Sequence, residues 1–164
     1  MTATPVCLCL LVRLSSTGRR EVLLGRKKRG FGTGKVLGLG GHIEVGETAA
    51  EAASREVAEE SGIRVEAADL RDAGTVVFRF PARPEWDMAA SVFVGDRFSG
   101  EARESDEIAP RWYDVDALPV QDMWEDNRYW LRQVLDGQRL QAEFVFADDG
   151  ETVAEVRVES VSAG

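Results

Sequence analysis

Apolar residues run almost unbroken over 5–12 (PVCLCLLV). A short run of this composition predicts a buried strand. A polar turn containing Gly18 follows over 15–20, and 21–26 (EVLLGR) predicts the partner strand of an opening hairpin. Residues 35–41 (KVLGLGG) lead into a helical stretch, and 63–66 is short and extended. Further on, 74–80 (GTVVFRF) predicts a strand with Val76, Phe78 and Phe80 on one face. A loop with two prolines (81–87), a strand (88–93), a charged loop (97–106) and a strand (111–115) come next. After a turn region at 119–126, residues 129–135 (YWLRQVL) have helical spacing, with Trp130 and Val134 four apart. Segments 140–147 and 152–158 predict a closing hairpin around Asp148, Asp149 and Gly150. Most strands are joined by short turns, with one helix central and one late. This predicts a mixed sheet covered by helices, not a doubly wound parallel fold.

The central helix is well specified. Thr48 and Glu51 form a capping-box pattern, Glu51 stands four residues before Arg55 in the favourable order, and Ser61 and Gly62 supply a stop. Ala50, Ala53 and Val57 share a face that can pack on a sheet. Glu56, Glu59 and Glu60 fall within an arc of roughly 100°. Like charges so placed repel, and a cation among them removes the cost. A hard divalent ion such as Mg²⁺ takes oxygen ligands of this kind, alongside waters and substrate phosphates.

The whole stretch 41–63 reads Gly41-x5-Glu47-x7-Arg55-Glu56-Val57-x-Glu59-Glu60-x-Gly62-Ile63. It resembles the Nudix box of the Nudix hydrolases at all nine of its defined positions. The resemblance implies an α/β fold, an α/β/α sandwich around a mixed β-sheet, with the box as a loop–helix–loop. It also implies Mg²⁺-dependent hydrolysis of a nucleoside diphosphate linked to another moiety. Glu47 and Arg55 are implied to clamp loop to helix as an ion pair.

At 164 residues the chain is long enough for one domain with a real core, and 44% hydrophobic with 30% charged residues is ordinary for a globular protein. A formal net charge of −9 argues against a nucleic-acid polymer or a membrane surface as partner. The run over 5–12 is too short to span a bilayer and has no basic region before it. Cys7 and Cys9 are the two cysteines, set two apart in a strand without favourable disulfide geometry. Reduced thiols and a cytoplasmic, monomeric protein are expected. A lone histidine and no CxxC leave little support for zinc.

Local chemistry clusters round the box. Lys27, Lys28 and Arg29 precede the glycine-rich run 30–34; in so acidic a chain they suggest a basic loop near phosphates, with Lys27 the preferred contact. Gly40 can offer a backbone carbonyl to a metal, and Gly41 permits close approach. His42 reads as a loop residue.

Beyond the box, LLGRKKRGFGTGK, ESDEIAPRWYDVDALP, DMWEDNRYW and AEFVF resemble the MutT-homologue branch that sanitises oxidised purine nucleoside triphosphates. That resemblance adds Glu107 to the acids, so the implied metal set is the Gly40 carbonyl with Glu56, Glu59, Glu60 and Glu107. Each of the four is a candidate general base. It also implies a base pocket with Trp124 stacking on the purine and Asp126 and Asn127 reading its edge, Asp126 as an ionised acceptor. Phe31, Phe78 and Met88 can line that pocket or belong to the core; Trp130 is assigned to the core. The implied reaction yields nucleoside monophosphate and pyrophosphate, with Mg²⁺ or Mn²⁺ as cofactor. The chain departs from the branch at Asn127, where a second acid is usual, at Leu37, where asparagine is, and at Cys7, where threonine is. Such changes alter discrimination between bases. The alternatives are another Nudix substrate (ADP-ribose, a dinucleoside polyphosphate, a noncanonical pyrimidine triphosphate) or a non-catalytic nucleotide or RNA sensor.

Overall fold

The computed structural model describes residues 3–161. Strand β1 (Thr4–Leu14) is the centre of its sheet, with both faces and both edges in use. Cys7, Cys9 and Leu11 point to one side and Leu8, Leu10 and Val12 to the other, each set into its own core. Burial on both faces is why the run is continuously apolar and not alternating.

Along one edge, β1 runs parallel to β6 (Met88–Gly95). The other edge is shared. Val6 to Cys9 pair antiparallel with β4 (Leu39–His42), and Val12 to Leu14 pair with β2 (Arg20–Lys27). The sheet continues from β2 to β3 (Val36–Leu37) and β7 (Ile108–Asp114). From β6 it passes antiparallel to β5 (Arg71–Arg79), parallel to β8 (Leu140–Phe146), then antiparallel to β9 (Val153–Ser160). It is the expected mixed sheet.

Helix α1 (Ala49–Ser61) covers one face, where Ala52, Ala53 and Val57 are fully buried against Cys9, Leu11, Leu23 and Leu39. Helix α2 (Asn127–Leu135) covers the other, with Trp130, Leu131 and Val134 against Leu10, Leu24, Val92 and Phe144. The result is an α/β/α sandwich. At the start of α1, Thr48 Oγ1 accepts from the Glu51 N–H at 3.1 Å and Glu51 Oε1 accepts from the Thr48 N–H at 2.8 Å. Gly62 closes the helix as its left-handed C-cap. Among the described residues, no helix is long and apolar enough to cross a membrane.

Several elements differ from the sequence reading. The lead-in at 35–41 takes part in two strands, β3 and β4, which are too short to carry a periodic signal. Strand β5 begins three residues earlier than expected, because a register shift between Asp72 and Gly74 lets pairing run on to Arg71. Ala50 is only partly buried, and Ala52 takes its place in the core. The expected pair of Glu51 with Arg55 does not form, since the capping box occupies Glu51 and Arg55 turns to Glu47.

A close approach of the backbones of β4 and β1 lies at Gly40. A Cβ there would stand 1.9 Å from the Cys7 carbonyl oxygen, so only glycine lets β4 lie on β1. Gly40→Ala is expected to destabilise the protein by about 2 kcal/mol. Urea denaturation checks this; an unchanged midpoint would show that the two strands can separate without cost.

Candidate functional site

Where β2 and β4 part from each other along β1, a cavity of about 670 Å³ opens, walled by Leu8, Leu10, Leu37 and residues of β4. Two clusters of side chains meet in it.

The first is acidic. Glu60 is 8% exposed, and its Oε1 accepts from the Gly40 N–H at 2.9 Å. Burial pushes its carboxyl up to about 7, with the charges of Glu56 and Glu107 adding to the rise and Lys27 opposing it. Burial also raises Glu56, against the pull of Arg55, whose guanidinium donates to Glu56 Oε1 at 2.9 Å. The Glu56 carboxyl lies where a Gly41 Cβ would be, 2.7 Å away, so glycine at 41 makes room for it. Glu107 lines the cavity from the loop before β7, and Arg29 stands 3.6 Å from it. Glu59 is on the same helix face but points outward, 58% exposed and in contact with Arg55; it does not line the cavity.

Arg55 is the hub that holds these acids. Its Nε donates to Glu47 Oε2 at 2.7 Å and a terminal nitrogen donates to Glu47 Oε1 at 2.9 Å, a two-pronged pair. The same nitrogen reaches the His42 carbonyl at 3.1 Å, tying the loop before α1 to the helix. This contact holds Glu47 down at about 2 and raises Arg55. These bonds join the loop before α1 to the helix.

In the basic segment, Lys28 pairs with Glu104 at 2.9 Å and Arg29 with Glu107. Lys27 lines the cavity and makes no salt bridge among the described residues, leaving its ammonium for a ligand. The acid cluster suits a divalent cation by its donors: hard oxygens, like charges close together and Lys27 as the nearby counter-charge. As the side chains stand, no three of the described carboxylates converge on one point. Glu56 and Glu59 are turned onto Arg55, and Glu60 onto Gly40; they would swing inward to hold an ion.

The second cluster is aromatic round one buried acid. Asp126 is 1% exposed; its Oδ2 accepts from Trp130 Nε1 at 2.8 Å and its Oδ1 has no partner among the described residues. Burial pushes this carboxyl up to about 7. A carboxyl so raised can donate in its protonated form, as well as accept when ionised. Asn127 Nδ2 donates to the Trp124 carbonyl at 3.0 Å, leaving its carbonyl oxygen and second N–H for a ligand. Phe31 lies nearly parallel to Trp124, with ring centroids 5.4 Å apart and 15° between planes. Leu37, Phe78 and Met88 complete the wall. Trp130 is in the core as expected and also faces the cavity.

Phe80 and Phe146 were missed, though both line the cavity. Their strand alternation reads as core, and only the parallel pairing of β5 with β8 stacks them, 4.7 Å apart at 7°. Cys7, where the branch has threonine, is buried but lines the cavity, and burial raises its thiol.

Asp126 has a consequence for stability. Its carboxyl is raised on folding, so its ionisation opposes folding as pH climbs from about 3.8 to about 7. Asp126→Asn keeps an acceptor for Trp130 without the charge. Relative to the parent, this variant is expected to gain stability across that interval; thermal melts from pH 4 to 8 check this, and parallel curves would contradict it.

Residues 6–134 match the NUDIX domain. The chain is 42% identical over 139 residues to an oxidized purine nucleoside triphosphate hydrolase of Danio rerio, spanning 85% of this chain and 86% of that protein. A protein of the same description from Mus musculus is 40% identical over 129 residues, covering 79% and 81%. Among solved structures, a MutT protein from Bacillus halodurans superposes with a TM-score of 0.78 over 95% of this chain and 97% of that chain, at 22% identity, a likeness of fold. Nudix hydrolases generally need a divalent metal. With the domain matched over most of its length and relatives this similar, the chain belongs to the Nudix hydrolase family.

Proposed function

We propose that this protein hydrolyses oxidised purine nucleoside triphosphates to nucleoside monophosphate and pyrophosphate, clearing damaged precursors from the nucleotide pool. One observation carries the reading. The cavity that holds the Glu56, Glu60 and Glu107 carboxylates also holds an aromatic wall and a buried carboxyl with a free oxygen at Asp126. Phosphate chemistry and base recognition thus share one space of nucleotide size.

The acids Glu56, Glu59, Glu60 and Glu107, with the Gly40 carbonyl, would hold Mg²⁺ or Mn²⁺, which supplies Lewis-acid charge to the triphosphate. Lys27 offers a flexible positive charge to the phosphates. A carboxylate of the acid set takes the proton from the attacking water; a shared site couples their titrations, so all four stay candidates. Trp124, Phe31 and Phe78 enclose the base. Asp126 and Asn127 present matched donors and acceptors to its edge, Asp126 in either protonation state. Most of the rate comes from positioning and electrostatics, as in phosphoryl transfer generally.

Leu37 favours a second reading within the same family. It presents no hydrogen-bonding group to the cavity, and a site lacking one polar partner loses discrimination for the base that needed it. A preference for ADP-ribose or another nucleoside diphosphate derivative would follow.

Glu60→Gln is expected to lower kcat/KM about a thousandfold with the fold intact. Pyrophosphate release and a thermal melt check this together; full metal-dependent activity would remove Glu60 from the metal site. Chelation should abolish turnover and Mg²⁺ or Mn²⁺ should restore it. With 8-oxo-dGTP and 2-hydroxy-dATP set against dGTP, dATP and ADP-ribose, the oxidised purines are expected to be turned over best. Preference for ADP-ribose would favour the second reading.

A further inference from the structure

Five aromatic rings close a circuit beside the cavity: Phe31, Trp86, Phe80, Phe146 and Trp124. Four of them line the cavity and Trp86 does not. Trp86 lies on the short turn Pro84–Trp86 between β5 and β6. It is the nearest ring to Phe31, with centroids 4.8 Å apart, against 5.4 Å for Trp124 and 6.3 Å for Phe80.

Phe31 needs such a partner. Gly30 and Gly32 flank it, both with φ of +82°, on a loop whose few internal bonds run among Lys27, Gly30, Gly32, Thr33, Gly34 and Lys35. Phe31 is 39% exposed, so side-chain contacts must fix the direction of its ring. Trp86 is itself well held. It meets Phe80 edge-on at 5.7 Å, the Arg83 guanidinium lies over it at 5.2 Å, and its ring lies 3.3 Å from where a Gly150 Cβ would be.

We propose that Trp86 is a positioning residue for nucleotide binding: it backs Phe31 from outside the cavity and holds that ring as a preformed wall for the base. This rests on the reading that the cavity takes a nucleotide. A ring already in place costs less ordering on binding than one that must be found, so the effect falls on affinity. The chemistry is untouched, because Trp86 contacts none of the acids. A merely structural Trp86 would lower the melting temperature and leave KM alone.

The test compares Trp86→Ala, Trp86→Phe, Phe31→Ala and the double variant Trp86→Ala with Phe31→Ala. Steady-state kinetics on 8-oxo-dGTP, calorimetric binding of the α,β-imido analogue of dGTP and thermal melts are measured on each. Trp86→Ala is expected to raise KM and Kd about fivefold to tenfold, what one aromatic contact supplies, with kcat within about twofold of the parent. Trp86→Phe should recover most of the loss. The double variant should be no weaker than Phe31→Ala alone, since Trp86 acts through that ring. Should Trp86→Ala not fold, Trp86→Phe and Trp86→Leu carry the same comparison. An unchanged KM, a loss confined to kcat, or additive losses in the double variant would overturn the proposal. If the parent neither binds nor turns over the nucleotides, the reading of the cavity fails and the proposal falls with it.

Discussion

The backbone of β4 must lie on β1 so closely that residue 40 has no room for a side chain. Much of the site depends on that approach. It brings the Gly40 N–H to Glu60 and sets α1 over the junction of the two strands. Because β1 gives its remaining length to β2, the two neighbours diverge and leave a cavity beside the helix. The cleft is thus a result of strand pairing, and the acids come to it because the helix follows β4 directly in the chain.

A helix carrying this many acids needs compensation. Arg55 provides it, meeting Glu47, Glu56 and Glu59 at once and bonding the loop carbonyl of His42. The capping box and the buried alanines add support that does not depend on charge. Glu60 alone is left to the interior, facing a peptide N–H, with Lys27 as its nearby cation. The protein keeps a strongly raised acid where a ligand and its counter-ions would arrive.

The parts of this arrangement legible in the sequence are those encoded over short distances. The spacing of Glu47, Arg55, Glu56, Glu59 and Glu60, the capping box and the continuous apolar strand all act within a few turns or one strand. Strands β3 and β4 were not legible, because two residues, or four of which two are glycine, carry no period. Nor was the division of labour among the acids: helix geometry puts Glu56, Glu59 and Glu60 on one face, yet in the fold Glu59 is exposed against Arg55 while Glu60 is buried. Asp126 looked like an ordinary acid; its near-neutral carboxyl comes from burial under Trp130 and the strands, a property of the assembled fold. The aromatic circuit joins four separate segments, and no window of sequence contains it.

The pairings of β1 and β5 also set the order in which the two halves of the site can form. The helix acids of the acidic half are set by an early pairing, Val6 meeting His42, with Glu107 joining from the loop before β7. The aromatic half waits for β8, since Gly74 meets Leu140 and Phe78 meets Phe144 across a much longer loop in parallel register. On a ribosome, the segment that carries the metal-seeking carboxylates is complete while the strand that walls in the base is still unmade. A folding intermediate of this chain would therefore display its phosphate chemistry before it could choose a base.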